Sequence, residues 1–156
     1  MRPQKDDTFR WECMEYAELS TSLLYRILAL RAEVFVVEQN CPYQDLDGYD
    51  QEALHGLLYK HEEVVALLRM LPPGLSYEEA SIGRVLVAQN HRGRNLGRHI
   101  MLKAIATCRD TWPGQPIRIA AQAYLEAFYA DLGFLRCSQD YMLDGIPHLD
   151  MLLEHG

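Results

Sequence analysis

Apolar positions along this 156-residue chain change period several times, and each change marks an element. Residues 9–14 alternate weakly between apolar and polar and predict a first strand. Ser20 suits a helix N-cap, because its hydroxyl can accept a bond from an unpaired N–H. Leu23, Leu24, Ile27, Leu28, Leu30, Arg31, Val34 and Phe35 follow at helical spacing and predict a helix from about residue 20 to 36. Residues 40–52 are rich in turn formers and read as a loop. Two apolar runs, 53–59 and 64–70, flank the polar segment 60–63 and predict a β-hairpin. Pro72-Pro73-Gly74 breaks the chain after it.

Residues 80–88 read as a buried strand, and 89–95 are polar and turn-prone. Leu96, Ile100, Met101, Ala104, Ile105 and Cys108 share one face of a helix predicted at about 96–110, which Pro113-Gly114 stops. Residues 117–121 form a short strand. Tyr124, Leu125, Phe128 and Leu132 make a helical stripe, and Gly133 suits the left-handed position after a helix. Residues 134–137 and 149–153 read as final strands. Residues 1–7 are polar and are expected to fray. The order β-α-β-β-β-α-β-α-β-β combines a meander with late crossovers. It predicts an α/β fold in one domain spanning 1–156, a mixed sheet covered by helices.

Composition narrows the function classes. The formal charge is −7 and no Lys/Arg run forms a stripe, which argues against a nucleic-acid partner. No apolar run approaches the ~18 residues of a membrane span, and the N-terminus shows no secretory h-region. Cys13, Cys41, Cys108 and Cys137 show no Cys-x-x-Cys spacing and read as buried thiols of a reducing, cytoplasmic setting. Asp45-x-Asp47-x-x-Asp50 lacks the spacing of a calcium loop, and His55, His61 and His91 have no zinc-ligand spacing. No metal is expected. The aspartate loop reads as solvated or cation-attracting.

The chemistry concentrates between residues 82 and 98. There a strand, Ile82-Gly83-Arg84-Val85-Leu86-Val87, feeds a glycine-containing loop that opens directly into a helix. Helix N-terminal N–H groups lack intrahelical partners and carry partial positive charge, so such a turn can cradle a diphosphate. Gly93 and Gly97 permit close backbone approach, and Arg92, Arg94 and Arg98 add charge. The P-loop and Rossmann spacings are both absent.

The segment resembles the acetyl-CoA motif of the GCN5-related N-acetyltransferase (GNAT) family, Gln/Arg-x-x-Gly-x-Gly/Ala. Arg92, Asn95 and Gly97 stand at its three fixed places, with Asn95 where the family has glycine. Asn tolerates left-handed backbone better than other non-glycine residues. Phe128-Tyr129 followed by Gly133-Phe134 resembles the family's second motif. The blocks at 31–39, 41–43 and 144–148 are similar to the ElaA-like subgroup.

The resemblance implies the acyl-CoA N-acyltransferase fold, a mostly antiparallel mixed sheet with splayed central strands flanked by helices. It implies that acetyl-CoA is the acyl donor, held by Arg92, Gly93, Arg94, Asn95, Leu96, Gly97 and Arg98. Backbone groups of the Val85-Leu86-Val87 strand, with Gln122, would receive the pantetheine arm. Gln122 could equally just end its strand. Tyr129 would lie near the sulfur as general acid. For the base, Glu33, Glu38, Asp45, Asp47 and His148 are candidates, with Glu38, Tyr43 and Asp45 near the acceptor. The acceptor would be a small-molecule or peptide amine. Exposed strand edges and the family's habit favour a homodimer. The alternative is an acyl-CoA binding or sensing module without turnover, which the Asn95 substitution motivates. A metal hydrolase using the aspartates and His148 is the reading from a third class.

Overall fold

The computed structural model describes residues 8–155; the segment 1–7, expected to fray, lies outside them. One eight-stranded sheet organises the chain. Its order is β1 (Phe9–Glu15), β2 (Leu54–Lys60), β3 (Glu63–Leu71), β4 (Ala80–Val87), β5 (Ile117–Gln122), β8 (Ile146–Leu153) and β6 (Leu135–Arg136). A short β7 (Tyr141–Leu143) also pairs with β8. All neighbours run antiparallel except β4 and β5. The expected mixed, mostly antiparallel sheet with splayed central strands is therefore the fold observed.

Helix α2 (Leu96–Thr111) buries the six residues its periodicity picks out, Leu96, Ile100, Met101, Ala104, Ile105 and Cys108. They pack on one sheet face against Leu68, Met70, Ile82, Ile119 and Met151. Full burial of such side chains stabilises by about 1.5–3 kcal/mol each. The opposite face of β2–β4 is covered by α1 (Thr21–Arg31), whose Ile27 and Leu30 meet Leu57, Leu67 and Leu86. Ser20 caps α1, accepting from the Leu23 N–H at 3.1 Å.

Three expectations need correction. The first helix is α-helical only to Arg31; Ala32–Glu38 continues it with π winding. In a π segment each bond spans five residues, so the side chains rotate out of the earlier register. Second, the stripe through Tyr124 fails, since Tyr124 is 74% exposed. Residues Ala123–Leu125 are a 3₁₀ turn with three residues per turn, which shifts the phase of the following α3 (Glu126–Asp131). Within α3 the buried residue is Tyr129 instead. Third, β7 and the early start of β8 were not expected. Their turn is Asp144-Gly145, with φ of 51° and 77°, a two-residue connection of the kind that favours hairpins.

One irregularity sets the site. Leu67 pairs with Leu86 and Arg69 with Gly83, so Arg84 and Val85 together oppose the single residue Leu68. This β-bulge puts Arg84 at φ 50°, in left-handed backbone. It also explains a parity change. Ile82 and Val85 both pack on the α2 face although they lie three positions apart, while Leu86 packs on the α1 face.

Candidate active site

β4 and β5 pair only at Ala80↔Ile117 and Ser81↔Arg118, then diverge. A cleft of about 550 Å³ opens between them, within the range of small-molecule sites. Its walls are the end of β4, Ile119, Ala120 and Gln122 of β5, Phe128 and Tyr129 of α3, and the π segment. The Ala88 N–H donates to the Val65 carbonyl across the sheet at 2.8 Å. By antiparallel alternation Leu86 also faces β3, so the backbone groups of Val85 and Val87 face the cleft. The Val87 carbonyl confirms this orientation, because it accepts from Arg92 Nε at 3.0 Å rather than from a strand.

At one end of the cleft the chain turns from β4 into α2. Gly93 has φ 84° and Asn95 has φ 58° and ψ 25°. Asn95 thus adopts the left-handed conformation expected of it, and its side chain makes no cap bond. The N–H groups of Asn95, Leu96, Gly97 and Arg98 have no acceptor among the described residues. Gly97 lines the cleft, where an added Cβ would sit 3.7 Å from the Phe128 ring. This end is an anion cradle made of backbone, with four donors and the positive end of a helix dipole.

The three arginines of the loop divide. Arg92 Nη2 donates to Glu38 Oε2 at 2.7 Å, tying the loop to the π segment. Arg98 pairs with Asp131 at 2.8 Å. Arg94 is exposed and makes no ion pair among the described residues.

Tyr129 and His148 occupy the other part of the cleft. Tyr129 is 8% exposed and meets Phe128 and Phe134 edge-on, with ring centroids 5.0 and 6.1 Å away. Burial, with a smaller contribution from Tyr124, pushes its phenol up to about 12. It therefore stays protonated at neutral pH. His148, on β8 opposite Gln122, lies 2.7 Å from the Ile146 carbonyl through Nδ1. A carbonyl can only accept, so Nδ1 carries a proton, and in the neutral ring Nε2 is the nitrogen with the lone pair. The Tyr141 ring stacks on the imidazole at 6.1 Å.

Gln122 Nε2 donates to Gln39 Oε1 at 3.3 Å, spanning the cleft between β5 and the end of the π segment. Glu38 and Tyr43 line the cleft, whereas Glu33 is exposed and Asp45 lies behind the lining. Phe35, Gln39 and Asp144 also line it, though nothing in their local sequence marks them as cleft residues. Cys41 Sγ donates to the Asp144 carbonyl at 3.0 Å and pins the π-segment exit to the β7–β8 turn.

The aspartate loop is not the solvated feature its composition suggests. Asp45 and Asp50 are buried, and Arg31, Arg69 and Arg84 close on them and on Asp47. Arg31 donates from Nε to Asp45 Oδ2 at 2.8 Å and from Nη1 to Asp50 Oδ1 at 2.6 Å. The Tyr43 hydroxyl donates to Asp45 Oδ1 at 3.1 Å. Burial, opposed by Arg84 and reinforced by Asp45, pushes the Tyr43 phenol up to about 12.

Residues 24–155 match the family described as the acetyltransferase (GNAT) domain. Protein ElaA of Escherichia coli is 44% identical over 146 residues, which cover 92% of this chain and 95% of that protein. The chain belongs to the GNAT family. It is ElaA-like in structure too: the crystal structure of Escherichia coli ElaA superimposes with a TM-score of 0.88 at 43% identity, covering 94% of this chain and all of that one. An acyl-CoA N-acyltransferase from Pseudomonas aeruginosa gives a TM-score of 0.89 at 37% identity, covering 94% and 99%.

The cleft of this GNAT protein fits an acyl-CoA on its own geometry. The cradle matches the diphosphate in charge, and the unpaired edge of β4 offers an amide-bearing arm its backbone partners. No helix among the described residues is long and apolar enough to cross a membrane. Asn95→Val should raise the Kd for CoA about tenfold, because a β-branched residue is strained by on the order of 1–3 kcal/mol at positive φ. Asn95→Gly should leave Kd within about twofold, since glycine takes that backbone freely. Titration calorimetry with CoA measures both.

Proposed function

We propose that the protein transfers an acetyl group from acetyl-CoA to a primary amine, directly, within a ternary complex. The observation that carries this reading is one cleft joining a cradle of four unpartnered amides to Tyr129 and His148. The amides of residues 95–98, with Gly93 and the loop arginines, bind the donor's diphosphate. Val85 and Val87 hold its arm along the open edge of β4, and Gln122 closes the far side.

An ammonium has no lone pair, and a lysine-like amine has a pKa near ~10.4. His148 Nε2, the ring nitrogen not engaged by the Ile146 carbonyl, accepts the amine proton directly or through one water. Nitrogen then attacks the thioester carbon. A β4 N–H facing the cleft stabilises the negative charge gathering on oxygen. The C–S bond breaks, the Tyr129 hydroxyl donates a hydrogen bond to the departing sulfur, and the second proton that nitrogen loses on becoming an amide passes to that thiolate. Glu38 and Tyr43 border the path of the amine. Glu33 takes no part in this reading, because it lies outside the cleft.

The alternative of a binding module without turnover drew its support from Asn95. That support lapses, since Asn95 holds the backbone a glycine would. The test is CoA release from acetyl-CoA across polyamines, lysine peptides, N-terminal peptides and small antibiotic-like amines. Amine-dependent release is expected. A shift in thermal unfolding with acetyl-CoA but no release from any amine would favour the binding module. No shift at millimolar acetyl-CoA would remove both.

A further inference from the structure

Arg84 joins the bulge in β4 to the buried aspartate loop. Its φ of 50° is disfavoured for any residue with a Cβ, and such backbone persists only where the surroundings over-determine it. The surroundings here are specific. Arg84 Nε lies 2.8 Å from Asp45 Oδ1, and Nη2 donates to the Asp45 carbonyl at 2.9 Å and meets Asp47 Oδ2 at 3.3 Å. Both carboxylates are themselves anchored. Arg31 holds Asp45 from α1, and Arg69 donates to Asp47 Oδ1 at 2.8 Å from β3. Arg69 is also the residue paired with Gly83, at the rim of the bulge.

We propose that Asp45 and Asp47 are positioning residues for acyl transfer: by clamping Arg84 they hold the β4 bulge and aim the Val85 and Val87 backbone into the cleft. This rests on the acyl-transfer reading of the cleft. Packing of Val85 and Leu86 on opposite faces fixes the register of the segment. The clamp fixes its tilt. Reaction geometry is sensitive to tilt, because a misplacement on the order of 1 Å costs about 10²-fold in rate. The aspartates therefore act through backbone, from behind the cleft, and not by touching the amine.

Position 84 separates backbone from side chain. Arg84→Ala removes the clamp and leaves a Cβ at positive φ; Arg84→Gly removes the same side chain but accepts the same φ. With acetyl-CoA and the best amine of the panel, Arg84→Ala should lower kcat about tenfold with KM for acetyl-CoA little changed. Arg84→Gly should return kcat to within about threefold of the natural protein. Asp47→Asn, at a half-exposed carboxylate, should lower kcat alone and lose its effect in the Arg84→Gly background. Equal losses in Arg84→Ala and Arg84→Gly would overturn the proposal in favour of a side-chain role, and no loss in either would overturn it outright. If the natural protein releases no CoA with any amine, the acyl-transfer reading fails by itself. Crystal structures of the two variants then decide the clamp: φ at position 84 stays near 50° in Arg84→Gly and departs from it in Arg84→Ala, or the proposal falls.

Discussion

Tyr129→Phe is expected to lower kcat about 100-fold while leaving the Kd for CoA and the unfolding midpoint almost unchanged. A positioned proton donor contributes about 10²–10⁴-fold, and 100-fold corresponds to about 2.7 kcal/mol. The low end applies here for a reason set by burial. With its phenol pushed up to about 12, Tyr129 is a weak acid for a departing thiolate, whose conjugate thiol has a pKa near ~8.5. Its contribution is a hydrogen bond that strengthens as charge builds on sulfur. Because the raised value keeps the hydroxyl protonated at every pH below it, the variant's pH–rate profile should keep the natural shape and simply lie lower. Stability should hold because Phe preserves both edge-on ring contacts, and the lost hydroxyl has no hydrogen-bond partner among the described residues. Stopped-time CoA release over pH 6–9 and a thermal melt measure the two quantities. A variant as fast as the natural protein would remove Tyr129 from the chemistry.

Local pattern carried much of the fold. The α2 face, the hairpin β2–β3 and the turn into α2 are each written in fewer than twenty consecutive residues, so periodicity and turn chemistry reach them. The left-handed state of Asn95 was legible for the same reason, being a property of one residue type in one turn. The buried charge network was not. Asp45 meets Arg31 and Arg84 across 14 and 39 positions of sequence, and composition alone makes its loop look wet. A signal did exist on the other side of the pairing. Arg31, Arg69 and Arg84 each stand within an apolar pattern, that of the first helix, the hairpin run 64–70 and the buried strand 80–88, and a buried cation requires a carboxylate. Tyr129 was reached by resemblance, while its burial was hidden by the 3₁₀ turn that resets the helix phase. The cleft-lining of Phe35 and Gln39 depends on π winding, which no periodicity announces.

The same network governs the second large effect, on stability. Arg31 is 1% exposed and has two buried carboxylates as partners, so Arg31→Met removes the charge but keeps much of the volume. Breaking a buried pair from one side costs about 3–5 kcal/mol, because the carboxylates stay buried without their cation. Asp45 keeps Arg84 and Asp50 keeps Arg69, which argues for the lower figure. For a chain of this size about 3 kcal/mol lowers Tm by on the order of 10 °C. The effect should depend on pH in a defined direction. Burial raises the Asp50 carboxyl, but the hydrogen bond and charge of Arg31, then those of Arg69, outweigh it and hold the group below its ordinary value. Burial raises the Asp47 carboxyl as well, but the hydrogen bond and charge of Arg69, helped by the Tyr49 N–H and Arg84, outweigh it and hold the group at about 2. A depressed carboxyl contributes stability that is fully present above its unfolded value, near ~3.9, and is lost as pH falls through its folded value. The gap in Tm between natural protein and Arg31→Met should therefore be widest near neutral pH and narrow below about pH 4 as Asp50 takes up its proton. Melts at pH 7 and pH 3 test this. An equal gap at both would mean that Arg31 stabilises by filling space, and that the aspartates beneath the cleft are not held there by charge.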